Sequence, residues 1–141
     1  MRGQDILRIG RRLYSEGLIS GNFGNISIRE REGFSIKRTG AYLDDPGTLV
    51  FVPFSGEGPL DASRESPVHR TIYLRTQHQA IVHAHPLYAV VASLSTDEVV
   101  PLDCEGRMLC PRIPVVQGEP GTEDLGLRVA DALTTAAVVI A

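Results

Sequence analysis

Ala80-Ile81-Val82-His83-Ala84-His85-Pro86 reads as a buried strand that carries two histidines to its end and stops at a proline. A short apolar run closed by a breaker is the pattern of such a strand. Side chains alternate across a strand, so His83 and His85 fall on one face. Two neutral imidazoles side by side are half of a tetrahedral zinc site. The same pair also suits histidines satisfied by backbone carbonyls or simply exposed, and the spacing alone leaves both readings open.

Downstream of this stretch, Pro86–Leu94 suits a short helix that ends at Ser95-Thr96-Asp97. Residues Val99–Leu102 and Arg107–Val116 read as extended, with Pro111 and Pro114 pushing them towards sheet edges. Gly118–Thr122 is a loop. Glu123–Leu133 is an amphipathic helix with Leu125, Val129, Ala132 and Leu133 inward. Ala136–Ala141 is wholly apolar, the composition of a central strand buried on both faces. Upstream, Pro67–Arg75 predicts a helix whose start is marked by Ser63, Glu65, Ser66 and Pro67. Ile26–Arg29 and Phe34–Lys37 alternate like strands around a turn at Glu32-Gly33, and Thr48–Phe54 is a third strand. Ile6, Leu7, Ile9, Leu13 and Tyr14 mark one face of a first helix that stops at Gly17.

The chain has 141 residues, the size of one domain, so a single domain is expected rather than a two-domain enzyme of ordinary size. With 43% hydrophobic and 22% charged residues it is neither disordered, collagenous nor a coiled coil. The net charge of −3 offers no basic excess to neutralise phosphates, so duplex nucleic acid is not an expected partner. No apolar run reaches the ~18 residues of a membrane span, and the charged start lacks a signal-peptide core. Neither a membrane nor secretion is expected. Cys104 and Cys110 are expected as reduced, buried structural thiols of a cytoplasmic protein.

Three further features can carry chemistry. Glu65 stands at a helix start with His69 four residues on. A carboxylate there can exchange a proton with a substrate, or can simply face the helix dipole. Gly24-Asn25, Thr39-Gly40 and Ser63 supply loop amides and small hydroxyls of the kind that hold an anion, with Arg64 adding a cation. Taken singly, each is also ordinary turn chemistry. His69 and His78 read as a helix-face and a solvent histidine.

Taken in order, four stretches resemble the class II aldolase/adducin family, of the fuculose-phosphate aldolase type. They are residues 17–27 (GLISGNFGNIS), 37–40 (KRTG), 63–69 (SRESPVH) and 80–89 (AIVHAHPLYA). Glu105-Gly106 and Gly118-Glu119-Pro120-Gly121 are similar as well. The resemblance implies a three-layer α/β/α sandwich around a mostly antiparallel sheet, with residues 1–141 as a single domain. It implies a homotetramer and a small sugar phosphate as substrate. By position, Gly24, Asn25, Thr39, Gly40 and Ser63 would hold the phosphate, with Arg64 where a second small hydroxyl residue is usual. Glu65 would shuttle the proton. His83 and His85 would bind one zinc per subunit, which would stabilise the enediolate of aldol cleavage as a Lewis acid.

The family's third zinc histidine follows a strand resembling Val138-Val139-Ile140-Ala141, so the expected domain is C-terminally incomplete and the chain weakly active or inactive. Glu65 or His69 are the candidates to complete the zinc site. Alternatives on the same frame are epimerisation, dehydration, decarboxylation, or a non-catalytic adducin-like oligomerisation module.

Overall fold

Ile6 is buried, and Ile9, Leu13 and Tyr14 pack behind it on one face of the first helix, α1 (Arg2–Ser15). The computed structural model describes residues 2–141. The face of α1 closes over Ile19, Ile26 and Leu43. Contact is close enough that a Cβ on Gly10 would lie 1.9 Å from the Leu43 carbonyl oxygen. Gly10→Ala therefore sets two effects against each other. Alanine favours the helix by about 0.5–1 kcal/mol. The clash falls on backbone, where overpacking costs about 1–3 kcal/mol. The clash is expected to win, and the urea midpoint of the variant should fall below that of the parent.

Four antiparallel strands form the central sheet in the order β3-β2-β1-β4. They are β1 (Asn25–Arg29), β2 (Gly33–Ile36), β3 (Val50–Pro53) and β4 (Ala80–His83). Ser27 stands opposite Ile36 on one side and Ile81 on the other, and Arg29 opposite Phe34. With a side-chain period of two, Asn25, Ser27, Ile36, Phe34, Ile81 and His83 share one face. Ile26 and Ile28 share the other face, under α1. The first face carries the aromatic core, where Phe34 and Tyr73 are fully buried with their ring centroids 5.3 Å apart. Arg29 spans that core, its guanidinium 5.3 Å from the Phe54 ring centre and 5.5 Å from that of Tyr73.

Helix α2 (Ser66–Arg75) lies on this face, and α5 (Glu123–Ala132) packs against it through Val68, Ile72, Leu125, Val129 and Ala130. Thr122 caps α5 by accepting from the Leu125 N–H, and Glu123 and Asp124 suit its positive end. The layers are thus α1, sheet, and the α2–α5 pair: an α/β/α arrangement around an antiparallel sheet.

The remaining elements are small: α3 (Leu87–Ser93), α4 (Cys104–Leu109), and the paired β5 (Glu98–Val99) and β6 (Ile113–Pro114). Among the described residues no helix is long and apolar enough to cross a membrane.

Four expectations are corrected. First, β4 is not a buried central strand. Among the described residues it is an edge paired to β1 alone, with Ala80 and Val82 exposed. Second, residues 104–109 are helical rather than extended, because Asp103 accepts from the Gly106 N–H at 2.7 Å and caps a helix start. Third, Cys104 is consequently exposed and Cys110 half-buried, so neither is a core thiol. Fourth, 136–141 is not a fully buried strand. It meets a partner on one side only, where Ile140 bridges to Val115 in parallel, and Val138 stays exposed.

Candidate functional site

A cleft of about 1180 Å³ opens between the sheet face, the N-terminal end of α2 and the chain after β4. Its wall contains Gly24 and Asn25, Thr39 and Gly40, Ser63, Arg64 and Glu65, and His83 and His85. All nine residues singled out in the sequence therefore meet in one place, although they come from four separated stretches. Backbone ties explain how. The Ser63 N–H donates to the Lys37 carbonyl at 3.2 Å and the Thr39 N–H to the Asp61 carbonyl at 2.9 Å. Arg38 and Asp61 close the same junction as an ion pair. Gly24 reaches β4 because it has no side chain. Its φ is +74°, and a Cβ there would lie 2.7 Å from the His83 carbonyl oxygen.

Glu65 is the N-cap residue of α2, yet its side chain makes no capping bond. The carboxylate instead receives the Gly121 N–H, and burial pushes it above the usual carboxylate range while that bond and nearby His85 pull it back. Gly121 has φ +75°, and a Cβ on it would stand 2.9 Å from the Arg64 carbonyl, so the 118–121 turn depends on glycine to reach Glu65. Ser63 Oγ accepts from the Glu65 N–H at 3.4 Å.

His83 and His85 stack with ring centroids 4.7 Å apart, and Phe23 tilts against His85 at 5.8 Å. The His85 N–H holds the loop in place by donating to the Leu18 carbonyl. Burial, helped by His85 and Lys37, pushes His83 down to about 4, so its ring is neutral, as a metal ligand must be. Asn25 meets His83 Nδ1 through its amide nitrogen at 3.2 Å, while Asn25 Oδ1 is buried without a partner. Turning the amide over lets Oδ1 accept from Nδ1–H and leaves the His83 Nε2 lone pair free. That is the usual outer-shell arrangement of a ligating histidine. The pair thus fits two positions of a divalent cation. No third His, Cys, Asp or Glu among the described residues converges with them at metal-binding geometry. Neither Glu65 nor His69 is placed as the third ligand.

Sequence reading passed over one residue here and gave another a different role. Lys37, quoted only as part of a motif, is buried in the cleft wall at 3% exposure. Its Nζ donates to the Asn22 and Ala41 carbonyls, each at 2.7 Å. It thereby ties the 22–25 loop to the 39–41 loop, and burial lowers its pKa. The signal was a lysine closing an apolar strand directly before a Thr-Gly turn. The other is His69, read as a helix-face residue, which is 1% exposed and hydrogen-bonded to Ser27 Oγ at 2.6 Å. Burial, with His83 adding repulsion, pushes it down to about 3.

These two rings predict acid sensitivity. Unfolded, each titrates near 6.5. Between that value and about 4 for His83, or about 3 for His69, the unfolded chain binds more protons than the folded one. Stability is therefore complete above about pH 6.5 and falls as pH drops through that window. Urea midpoints of the metal-free chain at about pH 7.5 and about pH 5 should show the drop, and His69→Gln should shallow it.

Residues 4–141 match the family described as Class II Aldolase and Adducin N-terminal domain. Among curated proteins, a 3-oxo-tetronate 4-phosphate decarboxylase of Cupriavidus necator is 33% identical over 90% of this chain and 64% of its own length. A 5-methylthioribulose-1-phosphate/5-deoxyribulose-1-phosphate aldolase of Rhodospirillum rubrum is 34% identical over 63% of this chain and 43% of its own. The chain therefore spans less than two thirds of either relative. The crystal structure of L-fuculose-1-phosphate aldolase from Thermus thermophilus superposes with a TM-score of 0.91 at 38% identity. That match covers 96% of this chain and 71% of the other.

Proposed function

This chain belongs to the class II aldolase and adducin family, and on that premise we propose that it acts on a phosphorylated ketose, making or breaking a carbon–carbon bond beside the carbonyl. One observation carries the reading: the anion-type loops, the helix-start carboxylate and the histidine pair line a single cleft. Gly24, Asn25, Thr39, Gly40, Ser63 and Arg64 receive the phosphate, with the Lys37 ammonium behind two of these loops as a fixed positive charge. His83 and His85 hold a divalent cation, zinc by their nitrogen chemistry. When bound, that cation supplies Lewis acidity to the substrate carbonyl. Glu65 removes the carbon-bound proton next to the carbonyl in the condensation direction and returns it after cleavage. Burial raises its pKa and so makes it a stronger base than an exposed carboxylate.

The test is a zinc titration followed by incubation of the loaded chain with dihydroxyacetone phosphate in deuterated water. Binding near one zinc per chain and exchange of one carbon-bound proton support the reading. Zinc binding without any exchange sinks the assigned proton chemistry.

A second reading, loss of carbon dioxide from a phosphorylated 3-oxo sugar acid, is favoured by the 33% identity to the decarboxylase. It would use the same cleft and leave the same type of carbanion. Release of carbon dioxide from such an acid, without aldehyde formation from ketose phosphates, would replace the first reading by the second.

A further inference from the structure

Tyr73, Ser27 and His69 form a buried line of hydrogen bonds that ends at the cleft. Tyr73 Oη lies 2.8 Å from Ser27 Oγ, and Ser27 Oγ lies 2.6 Å from His69 Nδ1. Tyr73 and Ser27 are fully buried, so no water completes the bonding of either hydroxyl, and His69 is 1% exposed, at the cleft.

Counting hydrogens fixes the direction of the line. Among the described hydrogen bonds the Tyr73 proton has one acceptor, Ser27 Oγ. Ser27 therefore accepts from Tyr73 and sends its single proton to His69 Nδ1. The opposite direction would leave the Tyr73 proton buried without an acceptor. A ring that accepts at Nδ1 and is uncharged carries its proton on Nε2. That nitrogen has no protein partner among the described hydrogen bonds, and His69 lines the cleft. It sits one turn along α2 from Glu65, on the sheet face that also carries His83.

We propose that His69 is a fixed, uncharged hydrogen-bond donor at the floor of the cleft, its tautomer set by Ser27 and Tyr73, and that its Nε2–H donates to an oxygen of the bound substrate. The proposal deepens the sugar-phosphate reading and rests on it for the identity of the acceptor. It also explains why His69 is no candidate for the missing metal position: a protonated Nε2 has no lone pair to give.

The test uses nitrogen-15 spectra of the imidazoles in the full chain. In the free protein, His69 should show a protonated Nε2 and a bare Nδ1, and in Ser27→Ala this tautomer should no longer be fixed. A protonated Nδ1 in the parent overturns the proposal whatever the chain's activity. On adding dihydroxyacetone phosphate to the zinc-loaded chain, the His69 Nε2–H signal should move. If the His83 ring signals respond and His69 does not, the donor role falls while the sugar-phosphate reading stands. If neither responds, both fall.

His69→Gln keeps an N–H near the place of Nε2, whereas His69→Asn does not. The asparagine variant should therefore lose about 10²-fold in substrate proton exchange, with the glutamine variant retaining most of it at an unchanged thermal midpoint relative to asparagine. Equal losses in the two variants would reduce His69 to a packing residue.

Discussion

Glu65→Gln is expected to slow exchange of the carbon-bound proton of dihydroxyacetone phosphate by about 10²- to 10⁴-fold, the range that a positioned proton-transfer group supplies. The substitution is nearly isosteric. It leaves the α2 start intact, because the Glu65 side chain does no capping there. A glutamine oxygen can still accept the Gly121 N–H that now reaches the carboxylate. Folding and zinc content should therefore match the parent, and the loss should fall on the chemical step alone. Deuterium incorporation, followed at saturating substrate, is the measurement. Unchanged turnover would remove Glu65 from the mechanism and send the search for the base elsewhere in the cleft.

His83→Ala is expected to weaken zinc binding by more than about 100-fold, because the loss of an orienting partner alone costs 10- to 100-fold. Only two histidines converge, so removing one leaves a single imidazole and no site. The fold should hardly notice, since His83 is half-buried at the end of an edge strand. Asn25→Ala should lie between, losing about 10- to 100-fold through the free rotation it allows His83. Competition against a metal-binding dye would rank the three proteins. A parent-like affinity in His83→Ala would mean that zinc is held somewhere else.

Much of this architecture was legible because its signals are local. The apolar spacing of α1, the hairpin at Glu32-Gly33 and the proline-marked start of α2 each lie within a few residues and match the observed elements. The histidine pair was legible because two strand positions on one face are adjacent by geometry alone. What stayed hidden depends on neighbours distant in sequence. An apolar strand such as 80–83 reads the same at an edge as in the middle of a sheet, and only the pairing order separates the two. Residues 136–141 have strand composition but find a single hydrogen-bonding neighbour. The helix at 104–109 was masked by prolines on both sides, although Asp103 marks its start. Ser27, His69 and Tyr73 belong to separate stretches, and nothing in either stretch announces that three polar groups share one buried line.

Lys37 carries a consequence that reaches beyond charge. One ammonium holds the carbonyls of Asn22 and Ala41, so the two loops that flank the proposed anion position are fixed to each other before any ligand arrives. The entropy of ordering them is spent during folding, and an incoming anion meets a finished cradle rather than two strands of moving chain. A calorimetric titration would register this as binding with little entropic penalty. In a Lys37→Met protein the same anion would have to gather the loops itself, and the penalty would reappear in the entropy even where some affinity survived.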